Sequence, residues 1–163
     1  MRVRQGNVRD WPFIYALGKI GIPESISPWR KQPLEVTLKY REEFLKGFWT
    51  WIQQSKSEVF IVEEPEQEGE TSARPIGYLV LNGSSQEELT GITQGWIMDI
   101  VVLPEWRGKG AGRVLLNAAE DYCRGQGIPY LGLAVSSHNV KALRLYENYG
   151  FAEERKLLVK KLG

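Results

Sequence analysis

Arg107-Gly108-Lys109-Gly110-Ala111-Gly112 lies between an apolar run that closes at Pro104 and an amphipathic helical pattern that opens at Arg113. Three glycines within five positions let the backbone turn tightly and approach a ligand closely, where any Cβ would obstruct it. The first amides of the following helix have no intrahelical acceptor and sit at the positive end of its macrodipole. A strand, a glycine turn and a helix start in this order read as a cradle for a phosphate-bearing ligand.

The surrounding residues narrow the choice of ligand. A Walker A loop requires Gly, four residues, Gly-Lys and then Ser or Thr, an order that is absent here. A dinucleotide fingerprint begun at Gly110 and Gly112 meets Leu115 where its third glycine belongs, and it falls late in the chain rather than in an opening βαβ unit. Further on, Asn139-Val140-Lys141-Ala142-Leu143-Arg144-Leu145-Tyr146-Glu147-Asn148-Tyr149-Gly150-Phe151 forms a second patterned segment, separated from the first by one helix and one strand.

Together the two segments resemble the GNAT superfamily of acetyl-CoA-dependent N-acetyltransferases. The first matches the family's Arg-x-x-Gly-x-Gly pyrophosphate loop, and the second matches Asn-x-x-Ala-x-x-Leu-Tyr-x-x-x-Gly-Phe at every named position. The resemblance covers about Ile76 to Phe151. It implies a mixed α/β fold, a twisted and largely antiparallel sheet split between its fourth and fifth strands, with helices on both faces. It implies acetyl-CoA as acyl donor, no metal, and direct attack by an amine in a ternary complex.

The resemblance also distributes roles. The backbone of Ile100, Val101 and Val102 would hold the pantetheine arm and thioester carbonyl, and the loop from Arg107 through Gly108, Lys109, Gly110, Ala111 and Gly112 to Arg113 would hold the pyrophosphate. Arg107, Lys109 and Arg113 would neutralise its charge, although each also reads as solvated surface. Asn139, a natural helix cap, and Ala142 would lie on the cofactor side. Tyr146, with an unperturbed pKa near 10, would return a proton to the departing thiolate; a core tyrosine with a satisfied hydroxyl is its blander role.

The strand before the loop carries the candidate base. Trp96-Ile97-Met98-Asp99-Ile100-Val101-Val102-Leu103 is almost continuously apolar, as expected at the centre of a sheet covered on both faces. Asp99 interrupts it, and desolvation there would raise the pKa toward a useful range, unless the carboxylate is spent on a structural pair. In the family's polyamine acetyltransferases this strand often carries Glu-Asp with the Glu as base; here that Glu is Met98. Asp99, acting directly or through water, and Glu105 are the candidates. A bulge in this strand would free amides for an oxyanion.

Composition agrees with this reading. The chain has 163 residues, enough for one domain (1–163) with a sizeable core. Its 21 basic and 20 acidic residues leave a net charge of +1, so neither nucleic acid nor a membrane surface is an expected partner. Cys123 is the only cysteine, which excludes an internal disulfide, and it falls on the buried side of its helix as a core residue. No apolar run reaches a membrane span and Met1-Arg2-Val3-Arg4 does not open a signal peptide, so a cytoplasmic location is expected. His138 reads as a loop residue.

The expected order of elements is a strand at Val3–Gln5, a helix through Trp11, Phe13, Ile14 and Leu17 broken by Gly21, Pro23 and Pro28, and a helix over Thr37–Gln53. A hairpin of Val59–Glu63 and Ile76–Leu81 follows, joined by the polar loop Glu64–Arg74. The central strand leads to a helix over Gly110–Arg124, a strand over Tyr130–Val135, a helix over Asn139–Tyr149 and a final strand near Lys156–Lys160. The acceptor site would be shaped by the region Trp11–Trp51, whose Trp11, Trp29, Tyr40, Trp49 and Trp51 are candidates for an aromatic pocket or for core packing. Glu63, Glu64, Glu66, Glu68 and Glu70 could draw in a cationic amine, or simply solvate a loop tip. The residues leave the acceptor open among polyamines, small amines, amino acids, peptide termini and protein lysines, with a homodimer possible. Two alternatives share these motifs: a CoA-sensing module without effective chemistry, for which Met98 argues, and a transferase for a longer acyl-CoA.

Overall fold

Alternation of apolar residues along two long strands builds the centre of the molecule, because successive side chains of a strand face opposite sides of the sheet. In the computed structural model, which describes residues 1–64 and 73–163, β2 (Glu58–Glu63) and β3 (Pro75–Gln86) are these strands. Val59, Ile61, Tyr78 and Val80 face one side, and Val62, Leu79 and Leu81 the other. β1 (Arg2–Gln5) pairs antiparallel with β2, β3 pairs antiparallel with β4 (Thr93–Val102), and β5 (Leu131–Leu133) lies parallel to β4. The sheet order is β1-β2-β3-β4-β5.

Helices cover both faces. α1 (Trp11–Ser25) and α2 (Leu34–Gln54) bury Ile14, Leu17, Leu45, Phe48 and Ile52 against one. α3 (Ala111–Gly125) buries Leu115, Leu116, Ala119 and Cys123 against the other, joined by Tyr146 of α4 (Val140–Tyr149). Cys123 is thus a core residue, with its thiol pushed up by burial. Gly95 of β4 sits under it, where a Cβ would lie 2.4 Å from the Cys123 Sγ.

Two features of β4 position the site. Leu81 pairs with Ile97 and Val80 with Asp99, so Met98 is an extra residue, a β-bulge. β5 pairs only with Gly95, Trp96 and Ile97, so beyond the bulge β4 continues to Val102 with no partner on that edge. This divergence is the expected split between the fourth and fifth strands.

Several boundaries differ from the sequence expectation. α1 runs through Gly21 and Pro23 to Ser25, because a proline in the last turn removes one hydrogen bond without interrupting what precedes it. α2 starts at Leu34, directly after Pro33. The β3–β4 hairpin extends to Gln86 and Thr93, closed by Glu87, whose carboxylate accepts from the amides of Leu89 and Thr90 and from the Thr90 hydroxyl. The expected final strand near Lys156–Lys160 is absent: residues 150–163 form no regular element, and Leu157 and Leu158 are 93% and 86% exposed. A strand needs an edge to pair with, and Arg155 instead draws this segment to Glu87 and Glu88 beside the β3–β4 turn. No described helix is long and apolar enough to cross a membrane.

Candidate active site

The glycine segment adopts the conformation its composition demands. Gly108 and Gly110 have φ of +73° and +89°, the left-handed region that side chains disfavour, and Gly110 caps α3. Val114 is the first α3 residue to donate within the turn, to the Gly110 carbonyl at 3.0 Å. The amides of Gly108 to Arg113 find no protein acceptor among the described residues. They form a run of free donors at the positive end of a 15-residue helix. Gly112 lets α4 approach: a Cβ there would lie 3.0 Å from Leu145, so the second sequence motif packs directly on the first.

The basic side chains around the loop are placed less simply than the sequence suggested. Arg107 turns back to bond Glu24 of α1 at 2.6 Å and the Val102 carbonyl at 3.1 Å, tying α1 to the end of β4. Lys109 lies over the Trp106 ring and Arg113 over the Tyr149 ring. The backbone, rather than these cations, presents the open donors. Asn139 caps α4 by accepting from the Ala142 amide at 3.3 Å. Ile100 and Val102 pack toward α3, and Val101 toward α1.

Asp99, on β4 just beyond its pairing with β5, and Tyr146 of α4 are a pair of acids of different kinds. Asp99 is half-buried, and burial raises its carboxyl pKa; the hydrogen bond from Tyr78, the charge of Arg41 and the Ile100 amide oppose that rise without cancelling it. The Tyr78 hydroxyl donates to Asp99 Oδ2 at 2.6 Å. Tyr78 is fully buried, which pushes its own pKa well above the ordinary value, so it remains a donor. Tyr146 is pushed up to about 12, first by burial and then by the negative charge of Asp99. Its ring packs edge-on against Phe151 at 5.9 Å, and its hydroxyl has no hydrogen-bond partner among the described residues. Tyr146 therefore feels the charge of Asp99 without bonding to it.

Sequence reading missed Tyr78 and Arg41. Tyr78 looks like another apolar strand residue, and only the register, with Val80 opposite Asp99, shows that its hydroxyl reaches the carboxylate diagonally. The available signal was Gly18: a Cβ there would lie 2.9 Å from the Tyr78 hydroxyl, so α1 passes over the pair at a glycine. Glu105 faces Arg74 at the surface, 3.4 Å away, and Met98 is 40% exposed on the bulge. His138 lies in an exposed turn.

The aromatic residues of α1 and α2 mostly pack on one another. Trp11 meets Tyr15, Phe48 and Trp49, and Phe48 stacks on Trp51 at 5.7 Å. Trp29 and Tyr40 are exposed. Glu63 is buried in a clasp with Arg2 and Arg4, at 2.9 and 2.6 Å, and so is not free to attract an amine. Glu66, Glu68 and Glu70 lie outside the described residues.

The chain is similar to proteins of known name. The spermidine N(1)-acetyltransferase of Vibrio cholerae serotype O1 is 30% identical over 134 residues, covering 82% of this chain and 69% of its own. The streptothricin acetyltransferase of Streptomyces lavendulae is 46% identical over 56 residues, covering 34% of this chain and only 30% of that relative's length. A solved structure of AAC(6')-Iy in complex with the bisubstrate analogue CoA-S-monomethyl-acetylneamine shares the fold with a TM-score of 0.69 at 19% identity, over 99% of this chain and 98% of that one. Residues 23–151 match the profile of the Acetyltransferase (GNAT) family, and the chain belongs to that family.

Proposed function

We propose that this chain is a single-domain N-acetyltransferase that moves an acetyl group from acetyl-CoA to a primary amine by direct attack in a ternary complex. The observation that carries the reading is a desolvated carboxylate on β4, where that strand parts from β5, whose charge acts on a protonated tyrosine of α4, the helix packed on the glycine loop. The cradle fits an anionic cofactor: its glycines occupy backbone conformations that side chains disfavour, and its amides have no protein acceptor among the described residues. The relatives named above act on amines by their names, and the bisubstrate complex joins CoA to an amine.

The backbone of Gly108, Lys109, Gly110, Ala111, Gly112 and Arg113 would hold the pyrophosphate, the free edge of β4 at Ile100 to Val102 the pantetheine arm, with Asn139 and Ala142 alongside at the start of α4. Acetyl-CoA supplies an acyl group activated as a thioester. Asp99 accepts the proton that an ammonium must lose before its nitrogen can attack, at Oδ1 or through a water, while Tyr78 holds Oδ2. The bulge at Met98 bends β4 where it parts from β5, and amides on that unpaired edge would serve as oxyanion donors. Tyr146, with a pKa pushed up to about 12, stays protonated at neutral pH and holds the proton for the leaving sulfur. Glu105, paired with Arg74 at the surface, serves less well as base.

The test is thiol release from acetyl-CoA over a panel of amines, after CoA binding is established by thermal shift. Asp99→Asn and Tyr146→Phe are each expected to lower kcat by about 10²-fold with CoA binding retained. CoA stabilisation without turnover on any amine would instead favour a CoA-sensing module, and a preference for longer thioesters would reassign the donor.

A further inference from the structure

The apolar stripe of α2 runs through Leu38, Leu45, Phe48 and Ile52, and one turn of it is occupied by a charged residue. Arg41 stands three residues after Leu38 and four before Leu45, so it lies on the face that α2 turns toward the sheet. Leu45 packs where α1 crosses the sheet at Gly18, directly above the Tyr78 hydroxyl. Arg41 is thus one helical turn from the Tyr78–Asp99 pair, and its charge acts on both groups. It is half-buried, and among the described residues it has no carboxylate within ion-pairing distance. Its guanidinium lies over the Phe44 ring, 4.5 Å from the ring centre, and Phe44 rests on Phe48 at 5.6 Å.

A guanidinium that is partly desolvated, oriented by stacking and left without an anion is prepared to receive one. It makes no hydrogen bond to Asp99, whose carboxylate is held by Tyr78, and an acceptor lying between the two would present its amine to the carboxylate and an anion to the arginine. We propose that Arg41 selects acceptor amines that carry a carboxylate close to the amine, as in an α-amino acid, and disfavours polyamines, whose second cation would face the guanidinium. This rests on the acetyltransferase reading above and names its substrate class.

The experiment uses the CoA-loaded protein and a panel of α-amino acids, each matched with its carboxamide, together with spermidine. Calorimetric binding and kcat/KM are measured for wild type, Arg41→Gln and Arg41→Lys. Wild type should favour at least one carboxylate over its carboxamide by tenfold or more, through KM. Arg41→Gln should abolish that ratio, whatever it does to the rate common to both partners through Asp99, and Arg41→Lys should restore part of it. Equal use of both partners, or spermidine preferred and unaffected by Arg41→Gln, overturns the assignment. A carboxylate preference in binding with no acetyl transfer overturns the catalytic reading and leaves Arg41 as proposed. Absence of both overturns both.

Discussion

A carboxylate short of water destabilises the fold that holds it, and Asp99 is such a group: burial raises its pKa against the combined pull of Tyr78, Arg41 and the Ile100 amide. A group whose folded pKa is raised above its unfolded value loses stability as pH climbs past the unfolded value, since the charged form is the one disfavoured in the fold. Asp99→Asn keeps an acceptor for the Tyr78 hydroxyl and removes that charge. It is expected to raise the melting temperature by about 2–4 °C at neutral pH, corresponding to about 1 kcal/mol, while impairing catalysis. Calorimetry of the two proteins at pH 7 and again at pH 4 checks this, because the gain should shrink in acid. The same logic sets the rate profile: activity should fall on the acid side as Asp99 is protonated, with no alkaline limb from Tyr146 below about 12. Asp99 and Tyr146 were legible in the sequence because each breaks or completes a local pattern. Tyr78 and Arg41 were not, since their meaning depends on strand register and on where a distant helix crosses the sheet.

Close approach between elements is set by glycines, and two of them separate chemistry from packing. Gly18→Ala would place a methyl 2.9 Å from the Tyr78 hydroxyl, which is rigid, buried and already committed to Asp99. The expected result is a loss of about 1–3 kcal/mol in stability and a disproportionate fall in kcat, checked by denaturant titration beside kinetics. Gly110→Ala instead faces strain from its φ of +89° at an exposed turn. It should weaken CoA binding about tenfold in calorimetry, with the melting temperature of the unliganded protein lowered by only a few degrees. The glycine loop and the start of α4 were readable because their signals are local. The end of α1 and the tail after α4 were misread because proline tolerance and strand pairing depend on neighbours that a linear pattern does not reveal.

Across the molecule, charge rather than apolar burial joins the first strand to the first helix. Arg4 bridges Asp10, at 2.6 Å, and Glu63, at 2.6 Å, and both carboxylates are nearly inaccessible. The hydrogen bond from Arg4 holds Asp10 below its ordinary range. Burial pushes Glu63 up, but Arg4 and Arg2 outweigh it and hold Glu63 down as well. Because both folded pKa values are depressed, this stability is fully present above the ordinary carboxylate range near 4 and is lost as pH falls through the lower folded values. Glu63→Gln should lower stability by about 1–3 kcal/mol at pH 7 and flatten the acid side of the melting curve, measurable by thermal scans from pH 2.5 to 7. That two-faced architecture, with its divided sheet, followed from the resemblance; the clasp did not, because four separated charges announce nothing until β1 is laid beside β2.

The bulge at Met98 has a bearing on how this strand can be edited. Ile97 faces α3, Asp99 faces Tyr78 and Ile100 faces α3 again, so the inserted residue absorbs a step in the alternation. Removing one residue from a strand ordinarily inverts the parity of everything downstream. Here, deletion of Met98 preserves parity: every apolar side chain keeps its side of the sheet, and the ladder from Leu81 to Gly77 becomes regular, leaving only the second shift between Asn82 and Ser85. The shortened chain should fold with little loss of melting temperature and yet fail in catalysis, having kept its core while losing the bend that turns β4 toward the split.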